Sequence, residues 1–491
     1  MKRHQFYYAV VVLMLVTTGC NKSSDTPDPG PGPGNNPPAF DINTINDTYG
    51  AIAPFTNYLQ WGPYNVHDPS VIKSGEYFYS FSTDAAYGTA VRPGIQIRKS
   101  KDLVQWFYVG WVFNGLPAQG AAFITQSGGT PFQSLWAPYV LKVGNEFRLY
   151  YSLSCSVPRL SVIGLATATN PEGPWTEQGL AVVSKDDNTT QTNAIDPTVI
   201  VTPSGEHWMY YGSAWDGIYV LRLNAATGLA QTSGDKGIRI AQRGFTGPTV
   251  NGNIEGAEII YNADQGKYYL FIAYDWLETK YNVRVARSTS PQGPFLDFNG
   301  NNVNNVADDN PMILAPYKFD GHGGWQGVAH CAVFQDNGQY YMAHQGRPGV
   351  DKYYMVMHVR RMFWMENGWP VVSPERYANV QQTAINSTDL VGEWEQIVMG
   401  YQVVPGYANE QTSPNFQSAV SLTLNADGKI NGVATNNWTY AAPWLTMSWS
   451  NGAFVDKLYV SRERDWENKK ATTIVITGMN QNGTAIWGKK K

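Results

Sequence analysis

The 491-residue sequence predicts an all-β protein: a five-bladed β-propeller followed by a smaller β-barrel or β-sandwich domain. Composition is the first reason. Aromatic residues make up 13%, with 30 Tyr and 17 Trp, whereas charged residues reach only 15%. Aromatics suit strands, and scarce Lys and Glu leave little material for long surface helices. A repeat is the second. "HDPSVIKSGEYFYSFS", "WAPYVLKVGNEFRLYYSLS", "IDPTVIVTPSGEHWMYYGS", "IEGAEIIYNADQGKYYLFIAYD" and "HCAVFQDNGQYYMAHQGRP" share one grammar. Each has a short strand, a Gly-containing turn that supplies the positive φ of a tight hairpin, and a Tyr/Phe-rich second strand. Spacing is the third. The copies start roughly 60 to 75 residues apart, room for about four strands each.

Residues 1–20 read as an export signal. Lys2 and Arg3 precede the apolar stretch "FYYAVVVLMLV" and then "TTGC". The small residues before Cys20 resemble a bacterial lipobox, whose cysteine is lipidated. A lipid on Cys20 would be the chain's tie to a membrane, at the outer-membrane surface or facing the periplasm. The apolar run is shorter than the roughly 20 residues that a spanning helix needs. Residues 21–40, with "NKSSDTPDPGPGPGNNPP", are a Pro/Gly-rich tether.

Residues 41–385 hold the five copies and are expected to form the propeller, the first strand of each blade lining a central channel. "NPEGPW" near Pro171 and "SPQGPF" near Pro291 are matched turns in different units. Over 386–491 the texture changes. "SAVSLTLNADGKI", "WLTMSWSNGAFV" and "ATTIVITGMNQNGTAIW" are hairpins with alternating faces and lack the blade grammar. Apart from Cys20, Cys155 and Cys331 fall on non-adjacent blades, so both are expected to be buried free thiols, although export permits a disulfide. The net charge of −4 is small, and no Lys/Arg run interleaves with aromatics, which excludes a nucleic-acid partner.

The head of each copy carries the functional signal. Aligned on the inner strand, it holds Asp68, Ala137, Asp196, Glu255 and His330, followed by apolar positions such as Val71, Val140, Val199 and Val333. A structural cap needed by every blade would be acidic in all five. Three acids, one alanine and one histidine mark instead a position facing the axis and used differently in each blade. Rotational repetition then gathers three carboxylates at one end of one channel. Like charges force their pKa values apart, and separated values are what general acid/base catalysis requires. Glycoside hydrolysis uses such a pair.

These motifs, with "YGSAWDGIYV" and "GWPVVSPERY", make the chain from about Trp61 to about Tyr377 resemble glycoside hydrolase family 43, in particular its endo-acting α-L-arabinanases. The resemblance implies an inverting hydrolase that cuts internal α-1,5-L-arabinofuranosidic bonds of plant arabinan. Asp68 would be the general base, Glu255 the general acid, and Asp196 the residue that raises the acid's pKa and orients it. Trp136 would stack on the sugar beside the cut bond. His330 matches the histidine that holds a hydrated calcium ion at the channel centre, against a plain hydrogen-bonded axial histidine. Arg347 is placed either on a substrate hydroxyl or against an acid, and Trp215 in a substrate-facing loop. Relatives often have Pro where this chain has Ala257, and Glu258 follows where other blades carry valine. Either a bulge turns Glu258 to the channel or it replaces Glu255. The competing functions are an exo-acting arabinofuranosidase or β-xylosidase on the same scaffold, and a non-catalytic carbohydrate-binding propeller.

Overall fold

The structure, a computed structural model, describes residues 40–187, 192–243, 245–246, 249–250, 253–305, 311–400 and 411–491. The export signal with Cys20, and the tether up to residue 39, lie outside the described residues.

Four antiparallel four-stranded sheets, and a fifth blade whose four antiparallel strands belong to a seven-stranded sheet, follow one another in chain order. Blade 1 is β1 (Ser70–Ser74), β2 (Tyr77–Ser82), β3 (Gln96–Ser100) and β4 (Phe107–Trp111). After helix α1 (Ala118–Gln126), blade 2 comprises β5 (Trp136–Val143), β6 (Glu146–Ser154), β7 (Ser161–Ala168) and β8 (Thr176–Ser184). Blade 3 is β9 (Thr198–Val201), β10 (His207–Tyr211), β11 (Ile218–Leu223) and β12 (Ile238–Ala241). A short hairpin, β13 (Phe245–Thr246) and β14 (Thr249–Val250), leads to blade 4. That blade is β15 (Ile254–Asn262), β16 (Lys267–Tyr274), β17 (Asn282–Ser288) and β18 (Met312–Leu314). β19 (Tyr317–Lys318) and β20 (Trp325–Gln326) then precede blade 5: β21 (Ala332–Asp336), β22 (Gln339–Pro348), β23 (Val356–Trp364) and β24 (Pro370–Val372).

The ring closes because each blade buries apolar residues against the next. Phe81 and Ile97 of blade 1 pack on Leu149 and Tyr151 of blade 2, and Ile163 and Leu165 of blade 2 on Met209 and Leu221 of blade 3. Val220 of blade 3 meets Ile259 and Leu270 of blade 4. Phe271 and Val283 meet Val333 and Met342 of blade 5. The last seam joins Ala332 and Val359 of blade 5 to Val71 and Phe78 of blade 1. These are the alternate, inward positions of aromatic and β-branched strands, so the repeat grammar itself dictates radial packing.

A short helix, α2 (Ser387–Leu390), introduces the second domain. Of the two predicted forms it takes the barrel. β25 (Gly392–Val398), β27 (Val420–Leu424), β28 (Lys429–Ile430), β29 (Val433–Ala441), β30 (Trp444–Trp449), β31 (Phe454–Asp465), β32 (Lys470–Asn480) and β33 (Ala485–Lys490) close on themselves. Trp394, Leu422, Leu445, Met447, Leu458 and Ile476 fill the interior, as a small barrel requires. Between β25 and β27 the chain sends out β26 (Gln417–Ser418), which pairs in parallel with β19 beside blade 5.

The two domains share a core, in which Met479 and Trp487 of the barrel pack with Trp369 and Val371 of the propeller. Beside it the Lys489 ammonium lies 2.9 Å from Glu375, 2.9 Å from Asp465 and 2.6 Å from Glu467. These three acids are the one grouping among the described residues close enough to hold a cation, and the ammonium occupies their focus. Among the described residues, Cys155 and Cys331 are buried and form no disulfide.

Candidate active site

Each inner strand begins with the same backbone device. Asp68, Ala137, Asp196, Gly256 and His330 all have positive φ, between 40° and 57°. Four of the five are not glycine, so the left-handed turn carries strain that its surroundings must hold. Hydrogen bonds to the preceding blade do so. The Asp68 N–H donates to Gln345 Oε1 at 3.1 Å, Ala137 to Thr83 Oγ1 at 2.7 Å, and Asp196 to Ser152 Oγ at 3.0 Å. In blade 4 the Gly256 N–H donates to Asp196 Oδ2 itself at 3.1 Å.

This register corrects the sequence alignment by one residue. The left-handed residue of blade 4 is Gly256, so Glu255 stands one place before the head. Pairing of β15 with β16 slips between Glu255 and Glu258, as pairing of β5 with β6 slips between Trp136 and Tyr139. Glu255 is thus the counterpart of Trp136 and His67. Glu258 belongs with Ser70, Tyr139, Thr198 and Ala332, and Ile259 takes the valine position. The bulge that the sequence left as one of two options is present, and Glu258 lies below the heads rather than in Glu255's place.

Asp68 is the most tightly held acid. Oδ2 accepts from Thr83 Oγ1 at 2.6 Å and lies 2.7 Å from His67 Nδ1; Oδ1 lies 3.0 Å from His330 Nδ1. Burial alone would raise its pKa. The two imidazoles reverse this and hold the carboxyl well below its ordinary range. Burial lowers the pKa of His67, against the field and hydrogen bond of Asp68, so of the two imidazoles His330 is the one whose positive charge the site favours. Burial works against that charge too, yet Asp68, by field and hydrogen bond, with Asp196 and Glu255 behind it, lifts His330 to about 9.

Asp196 and Glu255 go the other way. Burial pushes Asp196 up to about 8; His330 opposes, while Glu255 and Asp68 add to the rise. Glu255 is raised mainly by burial, against the Tyr281 hydroxyl, which donates to Oε1 at 2.8 Å. Asp196 and Glu255 are thus both displaced toward the protonated form, while Asp68 is displaced toward the ionised one. One end of the channel therefore holds a proton acceptor and a proton donor side by side, the requirement for breaking an acetal with water.

The remaining predicted residues flank this centre. Trp136, half-buried at the head of β5, stacks on Phe132 with ring centroids 5.5 Å apart and donates to Ser134 Oγ at 2.8 Å. Trp215 lies in the β10–β11 loop at the same end, with the Arg159 guanidinium 5.8 Å from its ring. Arg347, buried on β22, donates to the Lys352 carbonyl at 2.7 Å and feels the charges of Glu278 and Asp68. It is in electrostatic reach of the centre, and its Nε has no hydrogen-bond partner among the described residues. At His330, Nδ1 faces Asp68 and only Nε2 remains for a metal. One imidazole nitrogen, against the roughly six to eight oxygens that calcium takes, fits only an ion that keeps most of its water. Sequence reasoning missed His67, Thr83 and Tyr281. His67 stood in plain view beside Asp68, whereas Thr83 and Tyr281 lie on a strand end and a loop that carry no motif.

Residues 62–370 match Glycosyl hydrolases family 43, and residues 374–488 match its C-terminal lipocalin-like domain. The chain belongs to glycoside hydrolase family 43. It is 28% identical over 468 residues to an extracellular endo-α-(1→5)-L-arabinanase of Thermotoga petrophila, covering 86% of this chain and 93% of the relative. Similarity to an extracellular exo-α-(1→5)-L-arabinofuranosidase of Cellvibrio japonicus is also 28%, over 63% of this chain and 86% of the relative. Among solved structures, the Thermotoga petrophila endo-1,5-α-L-arabinanase superimposes with a TM-score of 0.74 at 26% identity, over 87% of this chain and 98% of that one. A Cellvibrio cellulosa α-L-arabinanase complexed with arabinohexaose gives 0.54 at 26%, over 63% and 95%.

Proposed function

We propose that this glycoside hydrolase is an inverting endo-1,5-α-L-arabinanase acting on plant arabinan. The observation that carries the proposal is the opposite electrostatic fate of Asp68 and the Asp196–Glu255 pair within one buried cluster. Relatives named as endo-arabinanases that span both domains support the substrate and the cleavage pattern. Asp68 takes a proton from water as the water oxygen bonds the anomeric carbon. The bond from that carbon to the leaving oxygen breaks, and Glu255 gives the leaving oxygen its proton. Asp196, bonded to the Gly256 N–H beside Glu255, orients the acid and helps keep it protonated. Trp136 supplies an aromatic face for a sugar ring, Trp215 and Arg347 bind substrate, and His330 Nε2, on losing its proton, would hold a hydrated calcium ion that supplies positive charge in place of the imidazolium's. The named relatives are extracellular, and a lipid on Cys20 would keep this enzyme at the cell envelope.

Sizing the products of debranched arabinan, with xylan alongside, tests the reading. An endo enzyme yields a ladder of oligomers before monosaccharide accumulates. Arabinose as the first product would make the enzyme an exo-acting arabinofuranosidase, xylose from xylan a β-xylosidase, and no product from either a binding protein.

A further inference from the structure

The inner strand of a propeller blade has one edge without a strand partner, facing the axis. Its N–H groups need acceptors, because a buried unpaired donor costs about 1–3 kcal/mol. Three residues beyond the head, side chains of other blades supply them. The Val140 N–H donates to Ser70 Oγ at 3.1 Å, joining blades 2 and 1. The Val333 N–H donates to Glu258 Oε1 at 3.0 Å, joining blades 5 and 4. Glu258 then reaches a third blade, since its Oε2 accepts from Thr198 Oγ1 at 2.9 Å. Tyr139 of blade 2 lies against that same threonine. Polar side chains thus link blades 1 to 5 one layer below the heads, and among the described residues Glu258 and its partner Thr198 each bond to two other blades.

Its partners sit close behind the reacting groups. Thr198 follows Asp196 by two residues, Val333 follows His330 by three, and Glu258 itself follows Glu255 by three. The bulge over Gly256 and Ala257 shifts the β15–β16 register between the two glutamates, Glu255 pairing with Ala273 above it and Glu258 with Phe271 below it. Glu258 is buried, with no cation of Lys or Arg bonded to it among the described residues. A buried carboxyl without such a partner is a poor choice for packing alone. Ser70, Tyr139, Thr198 and Ala332 show that the fold accepts smaller or neutral residues at this position.

We propose that Glu258 is a positioning residue: its carboxyl ties the inner strands of blades 3, 4 and 5 together below the bulge and so sets Asp196, Glu255 and His330 relative to one another. The inference rests on the hydrolase reading and adds a residue to that site. Glu258 touches no reacting atom; it acts through the strands that carry them.

The test compares kcat and KM on linear arabinan for the wild type, Glu258→Gln, Glu258→Leu and Thr198→Val, each checked for folding by circular dichroism and melting. Glutamine keeps both bonds, its amide oxygen accepting from Val333 and its amide donating to the Thr198 hydroxyl, so near wild-type kcat is expected. Leucine keeps the bulk and loses both bonds. Misplacement on the scale of an ångström costs up to about 10²-fold, so a 10- to 100-fold fall in kcat with KM within about twofold is expected. Thr198→Val cuts one tie while leaving Glu258 in place and should fall between. It carries the test if the leucine variant does not fold. A folded leucine variant, or Thr198→Val, with wild-type kcat overturns the proposal. So does a glutamine variant as impaired as leucine, which would mean that the ionisable proton matters and not the bonds. A wild type inactive on arabinan and xylan overturns the hydrolase reading first, before any variant is compared.

Discussion

Nδ1 of His330, on the first turn of blade 5, lies 3.0 Å from Oδ1 of Asp68 on blade 1. The contact closes the ring of blades chemically as well as mechanically. It puts a positive charge next to the acid that must stay ionised, and by the same field it opposes the rise of Asp196 and Glu255. Replacing His330 by Gln removes that charge. The pKa of Asp68 then rises, so the acidic limb of the kcat/KM profile moves to higher pH. Glu255 rises as well, and the basic limb moves the same way. Initial rates on linear arabinan across pH should show the whole profile displaced upward; an unmoved profile contradicts the assignment of charge to His330.

Tyr281→Phe separates the two limbs. The Tyr281 hydroxyl stabilises the ionised form of Glu255. Its loss raises the pKa of Glu255 alone, because among the described contacts this hydroxyl donates only to that carboxylate. A hydrogen bond of about 0.5–1.5 kcal/mol corresponds to roughly half a unit to one unit of pKa. The basic limb should move up by about that much, with the acidic limb unchanged. Movement of the acidic limb instead would reverse the roles given to Asp68 and Glu255.

Calcium, where proposed, depends on one nitrogen. Activity measured after chelation should fall and return on adding calcium, while His330→Ala should respond to neither treatment. Equal responses from both proteins would place any calcium elsewhere.

At the domain junction, Lys489→Met leaves Glu375, Asp465 and Glu467 buried without their cation. Breaking such a pair typically costs about 3–5 kcal/mol, and urea unfolding should show a loss of that order. Unchanged stability would show that the cluster protonates at no cost to the fold.

The sequence made the propeller legible because a five-fold repeat of strand, turn and aromatic strand leaves few other ways to bury its apolar faces. It also made Asp68 and Asp196 legible, since an acid at the head of an otherwise apolar strand has no packing reason to be there. Glu255 was found one register out. A left-handed glycine and a bulge shift the side chain without leaving any mark in periodicity. Helix α1 had no cap and no apolar stripe to announce it, and Thr83 and Tyr281 reach the site only through folding of the chain between strands. Closure of the second domain into a barrel, rather than a sandwich, depended on which edge strands met, and alternation is the same in both.

The central claim is that Asp68 and Glu255, held at opposite protonation states across one axis, cleave a glycosidic bond. The most direct measurement is the initial rate on linear arabinan for the wild type and Glu255→Gln, with folding verified by melting temperature. Loss of the proton donor should lower the rate by about 10² to 10⁴ in a protein that melts as before; a rate within about twofold of wild type would contradict the account.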